Sequence, residues 1–377
     1  MNHQHRLRRR LFLSALAFVI LVGPNIVTTR AQAQDDAVTV VASGLTNPRG
    51  LAWDAEGNLH VALAGIGGEP QAEGTPTAPG SSTSGVAMIE NGCGVEIAGG
   101  QPSGVLADMG WVFGVSAIEF VDGELYMLVD GGGVAWDNAD QPNGLYKITE
   151  SGEVEMIVDL GAWLAENPVE TQYEPINPAG EWFDMVVIDG VFWISEANHQ
   201  QVITVTMDGT VTRIVDFSSH GNVAPTGLVP APDGGAYVAF LSAIPFPDGS
   251  TRVVHVSPEG EVTDHWTGLT AVTALALDGE GTLYALEMST GNTDEPPFTQ
   301  SGTGQIVRQT GPDSSEVLVT GLDLPVKMDF DTSGSLYVVA PAFGADNGEG
   351  YILRIDLSGG ETIAIPGQLD TASACAS

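Results

Sequence analysis

Apolar and polar residues alternate in short runs along this chain, and most runs stop at a glycine turn. A two-residue period bounded by such turns predicts half-buried β-strands. A longer pattern contains them: an apolar strand, an acid–glycine or serine–glycine turn, then a strand built on an apolar–aromatic pair. It first reads Gly50-Leu51-Ala52-Trp53, Glu56-Gly57, Leu59-His60-Val61. It returns at Asp122-Gly123 with Leu125-Tyr126, at Asp189-Gly190 with Phe192-Trp193, and at Asp233-Gly234 with Ala236-Tyr237. The last copies are Glu280-Gly281 with Leu283-Tyr284, and Ser333-Gly334 with Leu336-Tyr337. Six copies, with a shortest period of about 44 residues from Trp193 to Tyr237, predict an all-β chain. The expected architecture is a six-bladed β-propeller of four-stranded antiparallel blades.

The pattern places further elements. Leu59, Leu125, Phe192, Ala236, Leu283 and Leu336 are expected between blades. Third strands are expected at 86–89, 145–148, 202–205, 253–256, 305–308 and 352–355. Residues 38–41 (Val-Thr-Val-Val) resemble 317–320, the outer strand of blade five, and should close the ring as the outer strand of the last blade. Residues 362–365 compete for that place. Residues 160–166 give one helical turn. The turns between first and second strands are all tight and share one face. The long segments 65–84, 130–143, 161–181, 288–303 and 341–349 gather on the other. Loops of that length are functional or mobile. The Gly/Pro/Ser/Thr-rich segment 65–84 is expected to be mobile.

Ahead of the repeats, Arg6, Arg8, Arg9 and Arg10 precede an apolar run over 11–22, which Gly23-Pro24 breaks before Ala31-Gln32-Ala33. This is the layout of a secretory signal, too short for a comfortable membrane span. Arg9-Arg10-Leu11-Phe12-Leu13 also fits the twin-arginine pattern, so export runs by the Sec or the twin-arginine route. The expected organisation is a signal peptide over 1–33, a propeller over 34–366 and a tail over 367–377. The mature protein is expected outside the cytoplasm (secreted, periplasmic or at the cell surface), with no transmembrane anchor after processing, as a monomer.

Charge narrows the partners. The chain carries 48 Asp and Glu against 12 Lys and Arg, a formal net charge of −36. Five of those basic residues lie in the signal segment, so the mature surface is more acidic still. Such a surface repels nucleic acid and anionic lipid, and suits solubility, a salty habitat or divalent cations. Cys93 and Cys375 are the only cysteines. Export and contact between the first and last blades make a Cys93–Cys375 disulfide one reading; two unpaired thiols are the other.

Three stretches carry a family resemblance. Val41-Ala42-Ser43-Gly44-Leu45-Thr46-Asn47-Pro48-Arg49-Gly50-Leu51-Ala52 resembles the opening of the ScyD/ScyE family, exported propellers with NHL-like repeats named for scytonemin-biosynthesis clusters. Leu160-Gly161-Ala162-Trp163-Leu164-Ala165-Glu166-Asn167-Pro168 is similar to a second feature of that family. Ile244-Pro245-Phe246-Pro247-Asp248-Gly249-Ser250-Thr251-Arg252-Val253 is similar to a third, more specific one. The resemblance spans roughly residues 38–355. It departs at Asn177-Pro178-Ala179-Gly180-Glu181-Trp182-Phe183-Asp184, where the family has a plainer segment. It implies an exported six-bladed propeller and brings no established reaction.

Aligned repeats identify the residues at the tunnel mouth on the long-loop face. One ring reads Arg49, Ser116, Phe183, Thr226, Thr273, Val326; the next reads Gly50, Ala117, Asp184, Gly227, Ala274, Lys327. Second strands end at Leu63, Val129, Glu196, Phe240, Glu287 and Ala340. Arg49 and Lys327 are the two basic residues that begin inner strands. They either form an anion-binding corner or balance Asp184, Glu196 or Glu287. Ligand-binding candidates are thus Arg49, Lys327, Asp184, Phe183, Thr226 and Thr273. Glu196, Glu287, Asp184 and Asn198 offer oxygen ligands for calcium or a similar divalent cation, as in calcium-dependent lactonase propellers; otherwise they are solvated or salt-bridged loop carboxylates. His60, His255 and His265 are expected to be structural, His199 has no partner at metal-ligand spacing, and no nucleophile elbow or phosphate loop is present. No other cofactor is indicated, and catalytic residues are not identifiable.

The sequence therefore predicts an exported propeller that binds a small molecule or a protein through the long-loop face and tunnel mouth. A metal-assisted, lactonase-like hydrolase and a structural cell-surface propeller are the alternatives.

Overall fold

The computed structural model describes residues 37–68, 80–106, 110–173, 177–344, 348–367, 369–371 and 374–375. The segment 1–33, read from the sequence as a secretory signal, and the centre of the 65–84 loop lie outside them. Strands form six antiparallel sheets arranged as a closed ring. Blade two runs Val115–Val121, Glu124–Val129, Gly144–Ile148 and Val154–Asp159, from the axis outward. Blade three runs Trp182–Ile188, Val191–Glu196, Gln201–Val205 and Val211–Asp216. Blade four opens with Val223–Pro230, and blade five with Val272–Leu277.

Blade six holds Lys327–Phe330, Leu336–Ala340 and Gly350–Ile355, and its outer strand is the chain's first, Val38–Leu45. The ring is closed by the N-terminal strand, as its resemblance to blade five's outer strand predicts. Residues 362–365 do not take that place. Ile363 and Ala364 instead add a parallel pairing to Val319 and Thr320 on blade five. That pairing covers an open sheet edge. The tail then returns to the seam: Cys375 is bonded to Cys93, the first residue of blade one's outer strand, with Cα atoms 4.7 Å apart. Residues 160–166 form a two-turn helix, longer than expected. It is capped by the Asp159 carboxylate, which accepts from Ala162 N at 2.7 Å, and it buries Leu160 and Leu164 four residues apart.

The six residues expected between blades are all buried. The tight turns have a local cause. Asp54, Asp278 and Asp331 each accept two backbone N–H groups from the turn that follows, two and four residues on.

One inner ring sets the bore. A Cβ on Gly50 would sit 2.8 Å from Ala117 Cα, and one on Gly227 would sit 2.6 Å from Ala274 Cα. Glycine at these two places lets neighbouring inner strands touch through their backbones. Asp184 and Lys327 fill the two remaining places of that ring, in blades that face each other across the axis.

Blade one breaks the four-strand plan. Its outer strand, Cys93–Leu106, overruns and pairs with an added strand, Trp111–Phe113. This hairpin sits on the link to blade two and brings two aromatic residues to the tunnel mouth.

Candidate ligand site at the tunnel mouth

A cavity of about 430 Å³ opens on the long-loop face. Arg49, Phe183, Asp184, Thr273, Asn198 and Lys327 line it, so most of the sequence-predicted candidates converge there. Thr226 is buried beside it, with its hydroxyl donating to Val272 O at 2.7 Å; Thr273 donates likewise to Pro325 O at 3.2 Å. Both hydroxyls tie one blade to the next.

The floor is ionic. Lys327 Nζ lies 2.7 Å from Asp184 Oδ1, and the two side chains are 15% and 4% exposed. Asp184 also accepts Met185 N and Leu228 N. Burial opposes the charge on Lys327, yet Asp184, Asp329 and Glu119 hold its pKa above the ordinary value. Of the two sequence readings for Lys327, charge balance describes its position. Arg49 Nη2 donates to Val112 O at 2.5 Å, so the guanidinium holds the added hairpin in place. Burial draws the Arg49 pKa down to about 10, against the pull of Asp130. Asp130 accepts from Gly131 N and Asn143 Nδ2. Burial, then Glu181, push its carboxyl well above the usual range.

The four proposed cation ligands do not form one donor set. Glu196 accepts from the backbone N–H groups of Glu181, Asn198 and His199. It is the cross-strand partner of Gln201. Glu287 does the equivalent work in blade five, accepting from Thr270 N and from its cross-strand partner Gln305. Asp184 is engaged by Lys327, and Asn198 Oδ1 accepts from Asn177 N. Among the described residues, no group of three or more His, Cys, Asp or Glu could hold a metal ion. The equivalence of Glu196 and Glu287 in the repeat is real, but it marks a clamp on the blade's lead-in segment. A Glu ending the second strand with a Gln opening the third is the sequence signal for it.

The aromatic wall was not read from the sequence. Trp111 lies between Phe246 and Phe343, with ring centroids 6.3 and 5.9 Å away. The three rings come from blades one, four and six. Phe246 belongs to the Phe-Pro segment and sits at φ 60°, a left-handed conformation uncommon for a bulky residue. It is fixed by Phe246 N donating to Ala243 O, and by Asn292 Nδ2 donating to Phe246 O at 2.9 Å. The available signal was Trp111-Val112-Phe113, two aromatics on a link between blades where the repeat requires none.

Glu181 was also missed. Its backbone is fixed on both sides, N to Glu196 Oε1 and O from Ala197 N, each at 2.8 Å, and the residue lines the cavity.

No protein-family model matches the chain, and no curated protein sequence does. Solved structures do. A gluconolactonase of Xanthomonas campestris, XC5397, superposes with a TM-score of 0.54 at 11% identity, covering 85% of this chain and 89% of that one. A Bacteroides thetaiotaomicron protein of unknown function gives 0.53 at 10% identity, covering 84% and 75%. A candidate glucose dehydrogenase of Thermus thermophilus gives 0.53 at 14% identity, covering 85% and 99%. The activities of these proteins differ and the identities are low, so the likeness is one of fold alone: a six-bladed β-propeller.

Proposed function

We propose that this chain is an exported, ligand-binding propeller of the ScyD/ScyE type, which takes a small molecule into the tunnel-mouth cavity. The observation that carries this is the cavity itself. About 430 Å³ of concave space with an aromatic wall, above a floor of ionisable groups, is the usual make-up of a small-molecule site. A ring serving only structure would be closed, as it is one layer down, where Gly50 and Gly227 bring the strands together.

A thermal-shift panel of aromatic amines, alcohols, small carboxylates and lactones tests the reading. At least one class is expected to raise the melting temperature of the wild type. The same class should fail with Ala243→Trp, which fills the cavity from its exposed rim. If no compound shifts the wild type, the protein is a structural or protein-binding propeller. The hydrolase alternative is read in the same panel: acid release from glucono-δ-lactone, with and without added calcium. The donor atoms of Glu196, Glu287 and Asp184 are engaged within the protein and do not fit a calcium ion, so no reaction step is assigned through a metal.

A further inference from the structure

A charge census of the cavity leaves one group over. Five acidic or basic side chains line it: Arg49, Lys327, Asp130, Asp184 and Glu181. Lys327 closes on Asp184. Arg49 and Asp130 feel each other's charge, and Arg49 is further engaged by Val112 O. Glu181 remains. Its carboxylate has no hydrogen bond or ion pair among the described residues, and the charges it feels are those of other acids, Glu196 and Asp130. Burial first, and Glu196 second, push its pKa up to about 7. A half-buried carboxylate facing a cavity without a counter-ion is costly, and a cation entering the cavity removes that cost.

The rest of the wall suits the same class of ligand. The rings of Trp111, Phe246 and Phe343 form an aromatic wall that packs an apolar body, and an aromatic face open to the cavity attracts an ammonium group through its quadrupole. Ser242 Oγ, also in the wall, is buried with no hydrogen-bond partner and can accept from an ammonium N–H. A chain with a formal charge of −36 draws cations from solution and repels anions.

We propose that the cavity binds an organic cation, a protonated amine or quaternary ammonium on an apolar or aromatic body, with Glu181 as its counter-ion. This rests on the cavity being a ligand site, and it adds the chemical class.

Three probes of one shape separate the classes: phenethylamine, 2-phenylethanol and phenylacetate, titrated calorimetrically into the full processed chain. Phenethylamine is expected to bind about tenfold tighter than 2-phenylethanol, the scale of one charge-assisted contact, with phenylacetate weakest. Glu181→Gln should abolish the amine's advantage and leave 2-phenylethanol unchanged. High salt should weaken phenethylamine and spare 2-phenylethanol, a readout that needs no variant should Glu181→Gln fail to fold. Equal binding of amine and alcohol, tightest binding of phenylacetate, or a preference that survives Glu181→Gln overturns the cation class while the cavity reading stands. If none of the three binds, the cation class falls, and the thermal-shift panel shows whether the cavity reading falls with it.

Discussion

Lys327 and Asp184 meet at 2.7 Å across the tunnel axis although they stand 143 positions apart in the chain. Their blades, six and three, are opposite members of the ring. The other four places in the same layer hold Gly50, Ala117, Gly227 and Ala274. Small residues draw neighbouring strands together there, while an ion pair spans the bore. Lys327→Ala should cost about 3–5 kcal/mol, because it leaves Asp184 buried without its cation. Replacing both residues by apolar ones (Lys327→Met with Asp184→Leu) should recover most of that loss. Equilibrium denaturation of the single and double variants measures it. A single-variant loss well under 1 kcal/mol would mean that the pair is solvated.

The same tunnel sets a pH dependence. Glu119 and Asp329 lie two residues beyond Ala117 and Lys327 on their strands, and so on the same side. Burial is the first cause of both shifts. Lys327 pulls both back, while Asp329 and Asp184 add to the rise of Glu119 and Asp184 to that of Asp329, leaving Glu119 at about 8 and Asp329 at about 6. Asp329 also accepts Phe330 N. Glu181 and Glu196 are raised to about 7. A folded state that holds protons more tightly than the unfolded chain loses stability as pH rises from the ordinary carboxyl range through these raised values. At the acid end, Asp208 and Asp233 are held low by Thr206 and His255, and their contribution is lost as pH falls below the ordinary range. Melting temperature should therefore peak at about pH 5 and fall by several degrees toward pH 8. Glu119→Gln should flatten the alkaline limb. A melting temperature that climbs steadily from pH 5 to pH 8 contradicts this assignment.

The fold was legible because each blade repeats one local rule. Apolar alternation, a glycine turn and an apolar–aromatic pair recur, so alignment gave the inner rings and a closing strand at 38–41, which in the structure runs Val38–Leu45. The site was legible mainly where it uses ring positions, Arg49, Phe183, Asp184, Thr273 and Lys327, with Asn198 beside them. Its other half departs from the repeat. The Trp111–Phe113 hairpin, Phe246 and Phe343 come from links with no counterpart in other blades, so no alignment registers them. Glu196 and Glu287 show the opposite error. Their equivalence was visible, but a carboxylate accepting backbone N–H groups looks the same in sequence as one awaiting a cation.

Cys375 belongs to a strap. From Ile363 and Ala364 on blade five the tail reaches Ser43 of blade six's outer strand, where Cys375 N donates to Ser43 Oγ, and ends in the bond to Cys93 of blade one. The bond closes a sequence separation of 282 residues. Chain entropy alone gives about 5 kcal/mol for so large a loop, and ordering the tail offsets part of it. Cys375→Ala should destabilise by about 2–4 kcal/mol. Reductant should have the same effect on the wild type and none on the variant. Thermal melts of both, with and without reductant, measure this; a wild type indifferent to reductant would show that the strap adds nothing.

Arg49 offers the sharpest test of how the site is built. As an anion contact it would touch ligand directly. In the structure its guanidinium donates to Val112 O, which fixes the added hairpin and with it Trp111, the ring between Phe246 and Phe343. Trp111–Phe113 is three residues long and its strand pairing is with the end of Cys93–Leu106, so the Arg49 bond adds a polar anchor to ring contacts such as Phe113 on Trp136. Arg49→Ala removes that anchor and leaves a buried carbonyl without its charged donor, at a cost of about 1–3 kcal/mol. It also leaves Asp130 without its electrostatic partner. The expected result is weaker binding of phenethylamine, 2-phenylethanol and phenylacetate in similar proportion, because the wall they share has moved. Arg49→Lys should not rescue it fully, since an ammonium lacks the reach and fork of a guanidinium. If instead phenylacetate alone weakens, and the lysine variant restores it, Arg49 contacts the ligand's charge and the hairpin stands without it.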